Sequence, residues 1–267
     1  MIHRYLATSL GFMSLVILFF SIKYREEKNV TVTLPIMLVC AVILQGMFGM
    51  WTVTLKLWPQ VVTVHLLGGF TVLSIIWLIV LSISKNAISQ ETKIFNLLQR
   101  EKKWVYLATA VVIIQIAIGG WTTSNYAAVA CPDFPTCQGE WWPPMDFESG
   151  FNFIQKIGPN YLGGQLHNSA RVAIHMLHRI WAIVTVISLI LMGLRLLQLN
   201  ISPIRSKVFA VWGVLFVQVI LGVSNIVFNF PIGVAVAHNA IAALLIMKLL
   251  SLLFFMSVSS HEYNKSV

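Results

Sequence analysis

Seven stretches of this chain are each long and apolar enough to cross a lipid bilayer, and this constrains the fold before any motif is read. A hydrocarbon core about 30 Å thick takes roughly 20 residues of helix. Segments near 5–22, 33–53, 62–84, 104–123, 171–194, 208–228 and 232–256 meet that length, and none carries an Asp or Glu. Lys248 lies well inside a span, where its aliphatic stem lets the charge reach the nearer interface. A chain in lipid must satisfy its backbone internally, so helices are expected; a barrel would show short alternating segments. Charged residues make up 10% of the chain, against about 25% in soluble proteins. A soluble enzyme, a disordered chain and a nucleic-acid binder are excluded as first readings. The expected fold class is all-α, a polytopic membrane protein with seven transmembrane helices.

The net charge of +9 has a place in this picture. Lys23, Arg25 and Lys28 follow the first span; Lys85, Lys93, Arg100, Lys102 and Lys103 follow the third; Arg195, Arg205 and Lys207 follow the fifth. The alternate loops carry little positive charge, with Lys56 in one and Lys156 in the longest. The positive-inside rule puts the basic loops in the cytoplasm and loop 124–170 outside. A bacterial plasma membrane is the expected location.

Loop 124–170 holds most of the polar chemistry. Cys131 and Cys137 are six residues apart in a Cys-Pro-Asp-Phe-Pro-Thr-Cys run. In an oxidising compartment they read as a disulfide, with a redox-active or metal-binding pair as the alternatives. Trp141 and Trp142 read either as interfacial aromatics or as a lid over a site. Cys40 lies in a span and reads as a small packed residue.

An internal repeat carries the chemistry. Ile2-His3-Arg4 opens the first span, and Leu177-His178-Arg179 lies near the start of the fifth. A second intramembrane histidine follows each, His65 after 62 residues and His238 after 60. Gly49 precedes His65 by 16 residues, as Gly222 precedes His238, and Pro59 and Pro231 mark the turns between. A Gln-x-x-x-Gly motif recurs on three helices, as Gln45/Gly49, Gln115/Gly119 and Gln218/Gly222. These glutamines read as helix-to-helix hydrogen-bond partners, with glycine allowing close approach. The division expected is residues 1–103, a three-helix N-terminal half, and residues 104–267, a four-helix bundle carrying the loop. A helix and an outer loop equivalent to 104–170 would be missing before Met1, through loss, a fragment or a misplaced start.

Ionisable groups at membrane depth are costly and read first as functional. A lone histidine there is more often a hydrogen-bonded packing residue. Four, paired by a repeat near the outer end of their spans, point to ligands: His3 with His65, and His178 with His238. Two neutral imidazoles facing each other across an apolar bundle suit a six-coordinate haem. Arg179 reads as a partner for haem propionates, with an interfacial anchor as the alternative; Arg4 stays open between the two. His175, one turn before His178, shares its face and is a candidate substitute ligand. His167 and His261 read as solvated.

Together these residues resemble the haem A synthase family, membrane proteins that assist cytochrome oxidase assembly. The similarity rests on Ile2-His3-Arg4, Leu177-His178-Arg179, His65 and His238, and the Cys131–Cys137 run, and it covers essentially the whole chain. The resemblance implies two pseudo-symmetric four-helix bundles and oxidation of the C8 methyl of haem O to a formyl group. It implies a cofactor haem b on His178 and His238, and the substrate haem between His3 and His65. The family pattern has eight spans, a Cys pair in its first outer loop, and a Glu three residues before the first histidine; their counterparts would fall before Met1. Activity of the shortened chain is thereby left open. Implied partners are haem O and O2, an electron donor of open identity, and, as candidate neighbours, haem O synthase and cytochrome oxidase assembly factors. Rival readings are a di-haem b-type electron carrier and a haem-binding assembly factor without catalysis. Placement of all four histidines toward one face weighs against transmembrane electron transport. A transporter would show broken helices or intramembrane carboxylates.

Overall fold

The computed structural model describes residues 2–28, 31–83, 92–157 and 159–258. Lys85 and His261 lie outside the described residues. The helices are α1 (Ile2–Lys23), the short α2 (Arg25–Lys28), α3 (Thr33–Thr54), α4 (Pro59–Ile83), α5 (Thr92–Ser124), the short α6 (Phe147–Gly150), α7 (Asn168–Leu197), α8 (Ser202–Val227) and α9 (Ile232–Phe255). Seven of them, all but α2 and α6, are long and apolar enough to cross a membrane. The chain is an all-helical, multi-pass integral membrane protein.

The spans fall close to where hydropathy puts them, except at the start of α5. There the helix runs on to Thr92, about three turns before the apolar stretch. The reason lies in the helical spacing of the apolar residues. Leu98 and Val105 are both fully buried in the largest core cluster, so charged residues 100–103 are carried on a helix already anchored at both ends. Gln99 Nε2 donates to the Met256 carbonyl at 2.5 Å, and Arg195 pairs with Glu101 at 3.0 Å.

α5, α7, α8 and α9 close a ring, each packing against the next and α9 returning to α5. Their core includes Val105, Val112, Leu189, Met192, Val208, Val211, Leu245 and Leu249. α1 packs on α3 and α3 on α4, around a smaller cluster of Leu38, Val72 and Ile75. α4 bridges the two groups through α5 and α9. Trp77 on α4 donates to the Met247 carbonyl and the Ser251 hydroxyl of α9, at 3.0 and 2.8 Å. α1 and α3 leave most of their apolar surface exposed, as suits helices that face lipid.

Three helical hairpins, α3–α4, α5–α7 and α8–α9, share one construction. The first helix of each carries the Gln-x-x-x-Gly motif and ends on a left-handed residue 11 positions after the glutamine: Lys56 (φ 51°), Tyr126 (φ 54°) and Asn229 (φ 56°). The closing bonds are also equivalent. Leu57 N donates to Thr52 O at 2.9 Å, Ala127 N to Thr122 O at 2.9 Å, and Phe230 N to Asn225 O at 2.6 Å. This is the paired capping bond by which a helix satisfies its last carbonyls while reversing direction.

Candidate functional site

The second helix of each hairpin carries a histidine, and the glycine of the first helix lies against its ring. A Cβ added to Gly49 would stand 3.1 Å from Cε1 of His65. For Gly119 and His178 the distance is 3.0 Å, and for Gly222 and His238 it is 3.2 Å. Any larger residue would have to push the imidazole aside. One turn earlier on the same helix face, the glutamine holds the histidine's neighbourhood. Gln45 Nε2 donates to the His65 carbonyl at 2.6 Å, and Gln115 Nε2 donates to the His178 carbonyl at 3.2 Å. Gln115 Nε2 also lies 3.3 and 3.4 Å from the two ring nitrogens of His178, and Gln218 Nε2 lies 3.3 Å from Nε2 of His238.

These seats leave ring nitrogens for other use. Nδ1 of His65 and Nδ1 of His238 are buried with no hydrogen-bond partner. Buried polar atoms without a partner are uncommon in folded proteins and ask for an explanation. His178 and His238 are close enough to interact electrostatically, and so are His3 and His65. His3 itself is exposed on the first turn of α1. The two pairs thus differ in enclosure. The consecutive glycines Gly119 and Gly120 separate them: Gly119 seats His178, while a Cβ on Gly120 would meet Leu66 at 3.0 Å and Thr63 at 3.3 Å, flanking His65 on α4.

The outer loop is built over this end of the bundle. Cys131 and Cys137 form a disulfide and are fully buried against Val172 and Met176 of α7. The Asp133 carboxylate closes the small loop from within, accepting from Thr136 Oγ1 at 2.5 Å, Gln138 N at 2.6 Å and Gly139 N at 3.0 Å. The Thr136 hydroxyl, with the Gly139 and Gln138 amides, holds its pKa below the usual carboxylate range. His167 Nε2 meets Asp146 at 3.0 Å, so this loop histidine has a carboxylate partner. Asp146 also caps α6 through Ser149 N, and that bond is the main cause of its lowered pKa. Trp141 and Trp142 are 72% and 70% exposed. Loop residues Phe153 and Tyr161 reach the α3–α4 turn, where Tyr161 N donates to Lys56 O and Gln60 Nε2 to Phe153 O, both at 3.0 Å.

Arg179 is held by the outer loop through its terminal nitrogens, while its Nε is buried without a partner. Its terminal nitrogens donate to the carbonyls of Cys131 (3.2 Å), Asp133 (2.8 Å), Pro135 (3.4 Å) and Thr136 (2.8 Å). The guanidinium thus plugs the underside of the disulfide loop. Sequence reasoning missed a second arginine. At 100° per residue, Arg171 lies about 20° from His178 around α7, and Arg179 about 100° away. Nε of Arg171 is buried without a partner. His175, also on that face, is 4% exposed and its Nδ1 donates to the Ala127 carbonyl at 3.1 Å, which ties the ring to the loop.

A family model described as cytochrome oxidase assembly protein, COX15-CtaA, matches residues 1–250. The chain belongs to this family. Among curated relatives, the heme A synthase of Shewanella oneidensis is 38% identical over 257 residues, covering 96% of this chain and 75% of the relative. The heme A synthase of Rhizorhabdus wittichii is 25% identical over 78% of this chain and 56% of its own length. That of Erythrobacter litoralis is 27% identical over 53% of this chain and 37% of its own length. Members of the COX15-CtaA family thus share sequence with this chain across α1, all three hairpins and the loop that Arg179 secures.

Proposed function

We propose that this chain is a haem-dependent oxidoreductase of the heme A synthase type, converting the C8 methyl of haem O to a formyl group in cytochrome oxidase assembly. The observation that carries the reading is the pair His178 and His238, close enough to interact electrostatically. Each is seated on a glycine of the preceding helix and met by a glutamine amide, and His238 keeps a buried ring nitrogen unpartnered. Two neutral imidazoles in an apolar four-helix ring, one of them with a ring nitrogen unpartnered, fit a haem iron. They would hold a haem b, which supplies electron transfer when bound. His3 and His65 would hold the substrate haem O on the other side of α5.

The division of labour follows from enclosure. The ring of α5, α7, α8 and α9 is closed, suiting a resident group; α1, α3 and α4 form an open layer, suiting a substrate that must enter and leave. We read the division into residues 1–103 and 104–267 as these two parts, with the first turns of α5, from Thr92, belonging to the ring. Methyl oxidation by O2 proceeds through successive hydroxylations, and the geminal diol loses water to leave the aldehyde. The protein's share is binding, orientation and separation from bulk water. Arg171, on the His178 face and about 10 Å closer to the outer end, joins Arg179 as a cation for a cofactor carboxylate, the Nε of each being buried without a partner. By charge placement, loop 124–170 faces outward from a bacterial plasma membrane.

The test is to purify the chain from a host that makes haem O, then record pyridine haemochrome spectra and extract the haems. Wild type is expected to carry haem b and, given electrons and O2, to yield haem A. His178→Ala and His238→Ala should each lose the haem b. His65→Ala should keep it and make no haem A. A purified chain with no haem, or histidine variants with unchanged spectra, would overturn the reading.

A further inference from the structure

The glutamine amides at the two C-terminal seats have an unusual hydrogen-bond inventory. Gln115 and Gln218 each bring Nε2 to a ring nitrogen, within 3.3–3.4 Å, while Oε1 of both is buried and has no partner. Nδ1 of His238 is likewise buried and unpartnered. At the N-terminal seat Gln45 donates to the His65 carbonyl, and its amide packs against Gly68 on α4. Its side-chain amide makes no hydrogen bond to the His65 ring. Gln115 likewise donates to its histidine's carbonyl, at 3.2 Å, which orients its amide, so Gln218 is the glutamine whose amide addresses the imidazole alone.

A neutral imidazole carries one N–H and one lone pair. If the lone pair goes to iron, the other nitrogen keeps its proton and needs an acceptor. An amide offers a donor and an acceptor on the same planar group, and a half-turn about its last bond exchanges them. The unpartnered Oε1 of Gln218 is therefore the acceptor that a ligating His238 requires. We propose that Gln218 is a positioning residue for the cofactor haem, accepting the outer ring N–H of His238. It thereby fixes the tautomer and raises the electron donation of that axial ligand. A ligand whose distal N–H is hydrogen-bonded stabilises ferric over ferrous iron, which lowers the reduction potential. This rests on the haem b reading of His178 and His238.

An equilibrium redox titration of the purified, haem-loaded full chain tests it. Gln218→Leu should titrate at higher potential than wild type. Gln218→Glu, with a stronger acceptor, should titrate lower. Gln45→Leu should leave this potential where it was. Should the leucine variant fail to accumulate, the glutamate variant decides: an unchanged or raised potential overturns the proposal. A haem-loaded leucine variant that titrates with wild type overturns it as well, since loss of mere helix packing would change stability without moving the potential. A wild-type chain that takes up no haem overturns the reading beneath it and the proposal with it.

Discussion

Gly119 lies directly against the imidazole of His178, so close that a methyl group on it would stand 3.0 Å from Cε1. The same approach recurs at Gly222 and His238, at 3.2 Å. Alanine is the better helix former by about 1 kcal/mol, so Gly119→Ala and Gly222→Ala should not weaken their helices. The ring must instead give way by a few tenths of an ångström. We expect both variants to keep wild-type thermal stability in detergent and to lose haem occupancy, read as haem per polypeptide. A drop in stability with haem retained would show that the glycines serve helix packing and not the ligand.

The seven spans and the His, Gln and Gly periodicity were legible because each depends on residues close in sequence. Gly49 and Gly222 stand 16 residues before His65 and His238, and that shared spacing already marks the two short hairpins. The third, Gly119 with His178, was hidden by the 124–170 loop inserted between its helices. The loop contacts of Arg179 were not legible either. Its neighbour in sequence is His178, but a helix turns 100° per residue, and that turn directs it to loop carbonyls. The helical extension of α5 to Thr92 was masked by charge, because hydropathy reads composition and not the buried stripe through Leu98 and Val105.

Acid should loosen the disulfide loop before it affects the bundle. The bonds from Thr136, Gly139 and Gln138 lower the folded pKa of Asp133 below that of the unfolded chain, about 3.9. The stabilisation is therefore complete above the unfolded value and is lost as pH falls through the folded one. Tryptophan emission, sensitive to Trp141 and Trp142 beside this loop, should be flat from pH 8 to pH 5 and change only below about pH 4. Asp133→Asn should show the loosened spectrum at neutral pH and little further change with acid. A transition near pH 6.5 would assign the effect to a histidine instead.

Lys56 ends α3 with φ of 51° and is exposed, and its left-handed backbone is a conformation glycine adopts without a Cβ clash. Compared with Lys56→Ala, which removes the same side chain, Lys56→Gly should therefore be the more stable, by about 1 kcal/mol. Lys56→Val, β-branched at the same φ, should destabilise by more than that. Thermal unfolding in one detergent, followed by circular dichroism, ranks the three. If valine matched lysine, the turn would not be held in the left-handed conformation.

Arg171 and Arg179 should separate cleanly on substitution, although both are arginines near the outer end of α7. Arg179 donates to four loop carbonyls, that of the fully buried Cys131 among them, and a buried carbonyl left without a donor costs about 1–3 kcal/mol. Lysine cannot replace it, because a single ammonium lacks the planar fork that reaches several acceptors at once. Arg179→Lys and Arg179→Gln should thus both make segment 131–137 more sensitive to proteolysis and disulfide reduction. Arg171→Gln should leave that sensitivity at the wild-type level and speed haem loss to an excess of apomyoglobin. Arg171→Lys, which preserves the charge but not the fork, should fall between. Haem loss that responds to Arg179 and ignores Arg171 would assign the carboxylate contact to Arg179 alone.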